Sequence, residues 1–548
     1  MNMSRHQQAN QIIESFFDAY WKVNCSSGTF HGIHRYDSEM DHWGYEVRKD
    51  FQEKLRRWRK EISAQLKADT LETGQRLDLE ILLCEIERGI AEGEHFDRFE
   101  SDPSLYPNAA IMALLILEIR EFAPLEERLT ALAGRLKDIP RFLSEAKDNL
   151  RRSEKIPGEW LAMAMEANAA AQKYFTRLIT ETAGKFPPLR NEVMAAATLA
   201  AKFFEEYSQF LNNELSRKAV GSFAAGREFF DILLQRHHLL PYRASDLTRI
   251  GKEYLARTLR EMHQIAAEID PHRSLQDLIE NIKRDTPDEG EMEDYYREVV
   301  RRTREFVVDR GLATLPPGES LEIMTTPPSE RGILPYAAYM QPAPFEANQK
   351  GFFWVTPIDK GLSKVLQQAQ LSGHSRAAIE IRALHEGYPG HHLQLCLVNR
   401  LPSKVRRVFG TNVFVEGWAL YCEELMKRKG FYRDRRTDLM QLKDQLWRSC
   451  RMVIDVGLHT GDMTFDDAVK MLVEKAMLEP TSAVAEVRRY TQNPTQPMSY
   501  LIGKIEIERL AADYRRKFAN NSLRQFHDKL LSYGSIPIAL ARREMLGT

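Results

Sequence analysis

The sequence has little cysteine and no long apolar run. Its five cysteines are odd in number, widely spaced and without a CxxC pair, which argues against a disulfide framework. No apolar stretch is long and charge-free enough to predict a transmembrane helix, and the N-terminal residues lack the apolar core of a signal peptide. We therefore expect no membrane partner and, by default, a cytoplasmic location.

An excess of charge of one sign is also absent. The 77 Lys and Arg residues nearly balance the 78 Asp and Glu residues, for a formal net charge of -1. Without a basic excess or interleaved basic and aromatic residues, the sequence predicts no nucleic-acid partner. The strings GxSxG, GxxxxGK and GxGxxG are missing as well, which disfavours a serine hydrolase or a nucleotide enzyme.

Helical periodicity dominates the 548 residues. Apolar residues recur at helical spacing without an alternating series of strands between them, so we predict a mainly α fold and not an α/β sheet. The clearest helices are predicted over residues 12–23, 77–91, 108–122, 160–182, 192–215 and 245–269.

Proline becomes frequent after about Leu315, where the sequence changes character. Three short β-branched or aromatic runs, LEIMTTP, YAAYMQPAP and GFFWVTP, are bounded by Pro or Gly and predict the strands of a small sheet. We therefore divide the chain into a helical body over 1–314, a small β-sheet segment over 315–360 and a helical catalytic part over 361–548, all within one continuous fold.

Residues 384–394, LHEGYPGHHLQ, place metal-binding and acid–base side chains side by side. His385 and a second histidine supply imidazoles for a zinc ion, and Glu386 lies where it can take a proton from water. Glu416, in the helix-like run VEGWALY over 415–421, is the expected third ligand, because catalytic zinc sites keep three protein ligands and one open position. The sequence thus predicts one Zn²⁺ ion, against the alternative that these residues fall by chance on a solvent-exposed helix and loop.

The spacing of these histidines differs from HExxH, since Pro389 stands four residues after His385. On an undistorted helix His391 lies about 240° around the axis from His385, and His392 lies roughly 10 Å along it. Pro389 and Gly390 predict a local distortion, and two looped-out residues would move His391 onto the metal face. We expect His391 as the ligand and His392 as a contact of the substrate or of a neighbouring side chain, while His392 stays open as the alternative ligand.

HEGYPGHHLQ and EGWALY together resemble the bacterial family catalogued as domain of unknown function eight-eight-five, metallopeptidases similar to the gluzincins. GTFHGIHRYD, AAGREFFDILL, DVGLHTG and the segment from RY to SYLIGK resemble the same family, so the resemblance covers nearly the whole chain. It implies a large helical zinc-metallopeptidase body of gluzincin type, with a small sheet beside the active-site helix. It also implies a strand edge that binds extended peptide, for which residues 351–356 are the candidate and a purely structural strand is the alternative. The family pattern has PGQA where this chain has PTQP at 494–497.

Three polar residues recur at every fourth position of an otherwise apolar stretch: Arg451, Asp455 and His459. They share one face of a helix, and buried charged groups are costly unless they are bonded, so this face indicates either a lined cleft or a satisfied structural network. In a cleft, His459 would bond a substrate carbonyl or the oxyanion, and Asp455 would orient an imidazole.

The segment RRYTQNPTQPMSYLIGK over 488–504 contains the groups that a peptidase still lacks. Tyr500 is expected to donate its phenolic proton to the tetrahedral oxyanion, and Lys504, one turn later, to hold a substrate carboxylate. Arg489 and Tyr490 are alternatives for those roles. A packed tyrosine and a solvated lysine are the ordinary fates of these residue types, and the family resemblance is what favours Tyr500.

These residues predict a zinc-dependent hydrolase of peptide bonds with a peptide or peptide-like small substrate. It would be carboxypeptidase-like or oligopeptidase-like, with Glu386 as the general base. One alternative is a zinc amidohydrolase that acts on a non-peptide or modified amino-acid substrate. The other is a non-catalytic helical binding protein with a vestigial site.

Overall fold

A computed structural model describes residues 5–67, 71–178, 186–327, 331, 334 and 336–547. The described chain is mainly helical and includes a small three-stranded sheet, which confirms the predicted fold class. Its internal contacts divide it into two compact units: unit 1 is Met1–Ala225 with Phe345–Ala347, and unit 2 is Gly226–Pro344 with Asn348–Thr548. The predicted 1–314 body therefore contributes to both units.

Unit 1 is helical, and several of its helices share an apolar core. Helix α7 packs against α9 and α6, and buried aromatic and aliphatic residues such as Leu136, Phe142 and Phe204 fill the space between them. The helices are α1 Arg5–Val23, α2 Cys25–His31, α3 Tyr45–Leu66, α4 Thr73–His95, α5 Arg98–Ser101, α6 Leu105–Ile119, α7 Leu125–Arg152, α8 Gly158–Arg177 and α9 Arg190–Asn213.

The GTFHGIHRYD segment forms a buried polar network in unit 1. Thr29 Oγ1 donates to Asp37 Oδ1 at 2.6 Å, and the buried guanidinium of Arg135 donates to Thr29 Oγ1. The Nδ1 atom of His31 lies 2.7 Å from the carbonyl oxygen of Ser27. These bonds satisfy groups that would otherwise be costly to bury, so the described contacts give this motif a structural role.

Unit 2 contains the remaining helices and the sheet. Its longest helices pack in two close pairs, α11 with α19 and α18 with α22. The helices are α10 Arg227–Ile232, α11 Ala244–Ile269, α12 Leu275–Lys283, α13 Met292–Asp309, α14 Lys364–Ser372, α15 Arg376–Glu386, α16 His391–Val398, α17 Lys404–Val408, α18 Asn412–Arg428, α19 Arg435–Thr460, α20 Phe465–Glu474, α21 Pro480–Thr491, α22 Gln496–Lys517, α23 Leu523–Leu531 and α24 Ile538–Leu546.

The six predicted helices correspond to α1, α4, α6, α8, α9 and α11, with ends that differ by up to seven residues. The helix predicted over 108–122 ends at Ile119, where Arg120 turns to an extended conformation. The helix predicted over 160–182 ends at Arg177 as described, and residues 179–182 lie outside the described residues. Periodicity therefore located the helices better than it located their ends.

The sheet has the order β1-β3-β2, with β1 Ser320–Thr325, β2 Ala337–Met340 and β3 Lys350–Val355. Strand β3 pairs in parallel with β1 and antiparallel with β2. The predicted small sheet is confirmed, but the prediction that 351–356 forms a peptide-binding edge is wrong. Because β3 is the central strand, its residues 352–355 are paired with a neighbouring strand on both sides.

All five cysteines are free thiols with buried side chains, as expected for a chain without a disulfide framework. Within the described ranges, no helix is long and apolar enough to cross a membrane.

Candidate metal centre

Three side chains of unit 2 converge where the sequence predicts a metal. One donor atom from each of His385, His391 and Glu416 lies within 4.8 Å of the others. The two imidazole rings are nearly perpendicular, with centroids 4.8 Å apart, and His391 Nε2 lies 3.5 Å from Glu416 Oε2. Two imidazole nitrogens and one carboxylate oxygen form a donor set that catalytic zinc sites use.

A break between two helices brings the histidines together. Helix α15 ends at Glu386 and α16 begins at His391, while the intervening Tyr388–Pro389 bond is cis. The N–H of Gly390 donates to the carbonyl oxygen of Leu384 at 3.0 Å, and a methyl group added to Gly390 would lie 1.9 Å from the carbonyl oxygen of His385. Only glycine allows this close approach. The expected distortion is thus present, as a full break instead of a bulge within one helix.

His392 is fully buried and points into a separate network, in which its partners Glu319 and Tyr339 are partly buried. Its Nε2 lies 2.8 Å from Glu319 Oε2, and its Nδ1 lies 3.1 Å from the hydroxyl of Tyr339. The hydroxyl of Tyr388 also donates to Glu319. Both ring nitrogens of His392 therefore have protein partners, and the histidine beside His385 is His391.

Glu423 is a residue of the site that the sequence analysis missed. Its Oε1 lies 2.8 Å from His385 Nδ1, and both side chains are buried. A carboxylate on one ring nitrogen holds the imidazole so that the other nitrogen faces a metal. Glu423 stands seven residues after Glu416 on α18 and hence on the same helix face, a spacing that could have identified it.

The buried polar atoms of the site fit a bound cation. His391 Nδ1 and Glu416 Oε2 are buried without a hydrogen-bond partner in the described chain. Burial opposes a charge on Glu416, but His391, His385 and Arg451 lower its pKa to about 2. Burial likewise opposes protonation of His391, yet Glu416 and Glu386 raise its pKa overall. His385, His391 and Glu416 are thus the residues that would hold zinc, His385 through Nε2.

Glu386 lies at the end of α15, directly after His385. Its side chain is half-buried, and it accepts no hydrogen bond within the described part of the chain. Burial opposes protonation of His391, and the charge of Glu386 acts with that of Glu416 to raise the pKa of this histidine. An unbonded carboxylate beside the donor set is free to take a proton from water, as a general base requires.

Helix α22 supplies further polar groups next to Glu416. The Nε2 atom of Gln496 lies 3.4 Å from Glu416 Oε1 and also 3.4 Å from the hydroxyl of Tyr500. Burial and the charge of Glu416 raise the pKa of Tyr500, so its phenol carries a proton at neutral pH. The side-chain amide of Gln496 therefore lies between Glu416 and the hydroxyl of Tyr500. This hydroxyl is a hydrogen-bond donor close to the region where the sequence predicts it to stabilise the oxyanion.

The residue before α22 has a left-handed backbone conformation, which favours glycine. Thr495 has a φ of 69° and occupies the glycine position of the PGQA pattern. Its hydroxyl lies 2.9 Å from His238 Nε2, and its N–H donates to Asp455 at 3.2 Å. These bonds hold a threonine in the left-handed conformation, so the departure from PGQA leaves Gln496 beside Glu416.

Helices α18 and α22 touch through two glycines. A methyl group added to Gly417 would lie 2.4 Å from the Cα of Gly503, and one added to Gly503 would lie 1.8 Å from the carbonyl oxygen of Val413. The next residue, Trp418, donates from Nε1 to the carbonyl oxygen of Pro389 at 2.8 Å. The EGWALY motif thus has three functions. It contributes the possible ligand Glu416, it contacts the backbone of α22 through Gly417, and it forms a hydrogen bond from Trp418 to the segment between His385 and His391.

Two residues predicted to contact substrate are enclosed by protein. Lys504 is 2% exposed, donates to Gln445 and lies 3.6 Å from Glu424. The hydroxyl of the fully buried Tyr490 accepts a hydrogen bond from Arg451 at 2.7 Å. The described contacts of both residues are therefore structural.

Asp455 and His459 bond the backbone at the ends of α21 and α22. Asp455 accepts hydrogen bonds from the N–H groups of Thr495 and Met498, at 3.2 and 3.0 Å. His459 Nε2 donates to the carbonyl oxygen of Tyr490 at 3.0 Å, and burial lowers its pKa to about 4. Asp455, expected to orient an imidazole, lies 3.8 Å from His459, whereas the carboxylate beside a candidate ligand is Glu423.

A second group of possible metal ligands lies in unit 1. Donor atoms of Cys25, Glu39 and His42 also lie within 4.8 Å of one another. Here His42 Nε2 is 3.1 Å from Glu39 Oε2, and burial raises the pKa of Cys25 to about 12. Without a metal, Cys25 is therefore a protonated thiol.

Comparisons with known proteins agree with the fold and are silent on the chemistry. The family described as bacterial protein of unknown function (DUF885) matches residues 26–545, and no curated protein matches the chain. A putative lipoprotein of unknown function from Shewanella oneidensis is 24% identical, with a TM-score of 0.80 and 100% of both chains covered. A putative lipoprotein from Colwellia psychrerythraea is 18% identical, with a TM-score of 0.86, and the alignment covers 100% of this chain and 99% of that one. At these identities the similarity shows a shared fold.

Proposed function

Because the chain belongs to DUF885, a bacterial family of unknown function, we propose its function from the site: a zinc-dependent hydrolase of peptide bonds. One observation carries the proposal. Donor atoms of His385, His391 and Glu416 lie within 4.8 Å of one another, with the unbonded carboxylate of Glu386 directly after the first ligand.

The residues of the site divide the reaction between them. When bound, zinc polarises the scissile carbonyl and makes water more acidic. Glu386 takes a proton from the attacking water, whose oxygen adds to the carbonyl carbon, and passes that proton to the nitrogen as the C–N bond breaks. Tyr500 donates a hydrogen bond to the oxyanion, and the products are a carboxylate and an amine.

We also propose, from the same donor set and base, that the site is related to those of the gluzincins. Two histidines followed by a glutamate from a later helix, with a base next to the first histidine, are the parts that the sequence resemblance implies. The arrangement of α15, α16 and α18 supports this reading, in which the helix break replaces the continuous HExxH turn.

Zinc content and peptide cleavage test the proposal together. Protein purified without a metal-affinity tag is expected to hold one zinc per chain by elemental mass spectrometry and to cleave members of a mixed peptide pool. Glu416→Ala and His391→Ala should lose zinc, whereas Glu386→Gln should keep zinc and lose most turnover.

Two control variants make the outcome specific. Cys25→Ser should keep the full zinc content, because the donor group of unit 1 is not the proposed centre. His392→Ala should retain more zinc than His391→Ala, and the reverse order would reject the assignment of His391. Absence of zinc even after zinc is supplied would reject the enzyme proposal and favour a binding protein.

The names of the two solved relatives favour a location outside the cytoplasm over the cytoplasmic default. We propose this location for the present chain, because two proteins of the same fold are named as putative lipoproteins. Fractionation of the native host, with detection of the untagged chain, checks the proposal. Recovery with the cytoplasmic markers would reject it.

A further inference from the structure

Two arginine side chains share one carboxylate on the side of the site formed by α19 and α21. Arg451 and Arg489 each donate to the same oxygen, Glu486 Oε2, at 2.9 Å. One carboxylate therefore faces two guanidinium groups. A third arginine, Arg448, lies 3.7 Å from the carboxylate of Glu423.

The two guanidinium groups differ in accessibility. The side chain of Arg451 is 5% exposed, donates to the hydroxyl of Tyr490 and lies 4.6 Å from the ring centre of Tyr500. The side chain of Arg489 is 39% exposed, and its Nη1 donates to Gln496 Oε1 at 3.1 Å. The accessible guanidinium of the two is therefore that of Arg489.

Arg489 is connected to the donor set through one amide group. The Nε2 atom of Gln496 lies 3.4 Å from both Glu416 and Tyr500, while its Oε1 accepts from Arg489. One residue of an extended peptide spans about 3.5 Å. A substrate with its scissile carbonyl beside Glu416 and Tyr500 would therefore place the next carboxylate along the chain near Arg489.

We infer that Arg489 binds the C-terminal carboxylate of the substrate, so that the substrates are short peptides or N-acyl amino acids whose last residue is released. The inference rests on the proposed function and adds the substrate class. A guanidinium suits this role because it binds a carboxylate through two parallel hydrogen bonds. Lys504, the cation favoured for this role by sequence, is buried against Gln445 and Glu424.

Binding to a zinc-loaded, inactive protein tests the role of Arg489 without turnover. N-acetyl dipeptides with a free C-terminal carboxylate are compared by calorimetry with the same dipeptides as C-terminal amides, using the Glu386→Gln protein and last residues of apolar, basic and acidic type. The acids should bind at least about tenfold more tightly than the amides. Adding Arg489→Gln should remove that preference, and Arg489→Lys should restore part of it.

Arg488→Gln is the matched control, because adjacent residues on a helix point about 100° apart. It should leave the preference for acids unchanged. Equal binding of acids and amides, no binding of any acid, or a preference that survives Arg489→Gln would each overturn the inference. These outcomes are distinct from failure of the proposed function, which appears as missing zinc. Cleavage of acids and amides at equal rates by the wild-type protein would keep the hydrolase and reject the carboxylate site.

Discussion

At the scale of single residues, the site is organised by which nitrogen of each imidazole is already bonded. Glu423 occupies Nδ1 of His385, and this leaves Nε2 for a metal. His392 has partners at both nitrogens, which explains why it is the less suitable ligand although it adjoins His391. Ligand choice therefore follows from neighbouring carboxylates and hydroxyls as much as from spacing.

Glu423→Gln should weaken zinc binding by roughly 10- to 100-fold without abolishing it, because the amide orients His385 less strongly than a carboxylate does. Competition with a chromophoric chelator measures the affinity. Glu474→Gln, which removes one partner of an exposed pair with Lys470, is the control and should bind zinc like the wild type. An unchanged affinity in Glu423→Gln would show that this bond does not orient the ligand.

The sequence predicted the residues that follow one another along the chain and missed those that meet only in the fold. His385, Glu386 and His391 share one short segment, so their spacing alone suggests a metal. Glu423 shares a helix face with Glu416, so spacing could have indicated it, but its contact with His385 depends on how α15 packs against α18. Gln496 gains its position beside Glu416 from how α18 packs against α22, which no local pattern reports. Lys504 shows the opposite effect, since an apparently suitable cation is buried by packing against α19.

At the scale of elements, α18 and α22 depend on backbone contact. Gly503→Ala should lower the free energy of unfolding by roughly 1–3 kcal/mol or more, because its methyl group would overlap the backbone of α18. Urea denaturation measures the change. Gly290→Ala, where an added methyl meets nothing within 4 Å, should cost far less. Equal changes in the free energy of unfolding for the two substitutions would mean that α18 and α22 can move apart without loss of stability.

A shared ion pair links α19 to α21. Burial alone would raise the pKa of Glu486, but Arg451 and Arg489 lower it from 4.5 to about 2. A lowered pKa contributes stability above the unfolded value of 4.5, and that stability is lost as the pH falls towards 2. Glu486→Gln should therefore cost roughly 2–4 kcal/mol at neutral pH.

The difference in stability between the wild-type protein and Glu486→Gln should shrink as the pH falls from 4.5 towards 2. Denaturation across that range measures it, with Glu474→Gln as the exposed control. A difference that stays constant with pH would show that the carboxylate and its glutamine replacement differ only in packing.

The strands show what a local sequence pattern can predict about an element and what it cannot. Alternation and flanking prolines located β1, β2 and β3 within a few residues. The order β1-β3-β2 depends on which strands meet across the sheet, and the sequence of 351–356 is as compatible with an edge as with the centre. The wrong edge prediction is therefore an error of topology and not of secondary structure.

At the scale of the whole molecule, the candidate centre belongs to one unit. His385, His391 and Glu416 all lie in unit 2. A ligand that binds only the native state of a unit protects that unit from opening. Zinc should therefore slow amide hydrogen exchange in α15, α16 and α18 and leave the core helices α7 and α9 of unit 1 unchanged. Equally slowed amide exchange in unit 1 would contradict this prediction. It would mean that zinc binds at another site or that the two units open together.

Three consecutive residues of α18 make three different contacts. Glu416 belongs to the donor set, Gly417 contacts the backbone of α22, and Trp418 donates a hydrogen bond to the carbonyl oxygen of Pro389. Successive side chains on a helix point about 100° apart, so one rotation of α18 about its axis would disturb all three contacts together. An insertion or deletion of one residue inside α18 is therefore far more harmful than a change of length in the connection after Arg428. The chemistry of this site can change by exchanging side chains, but not by turning the helix that carries them.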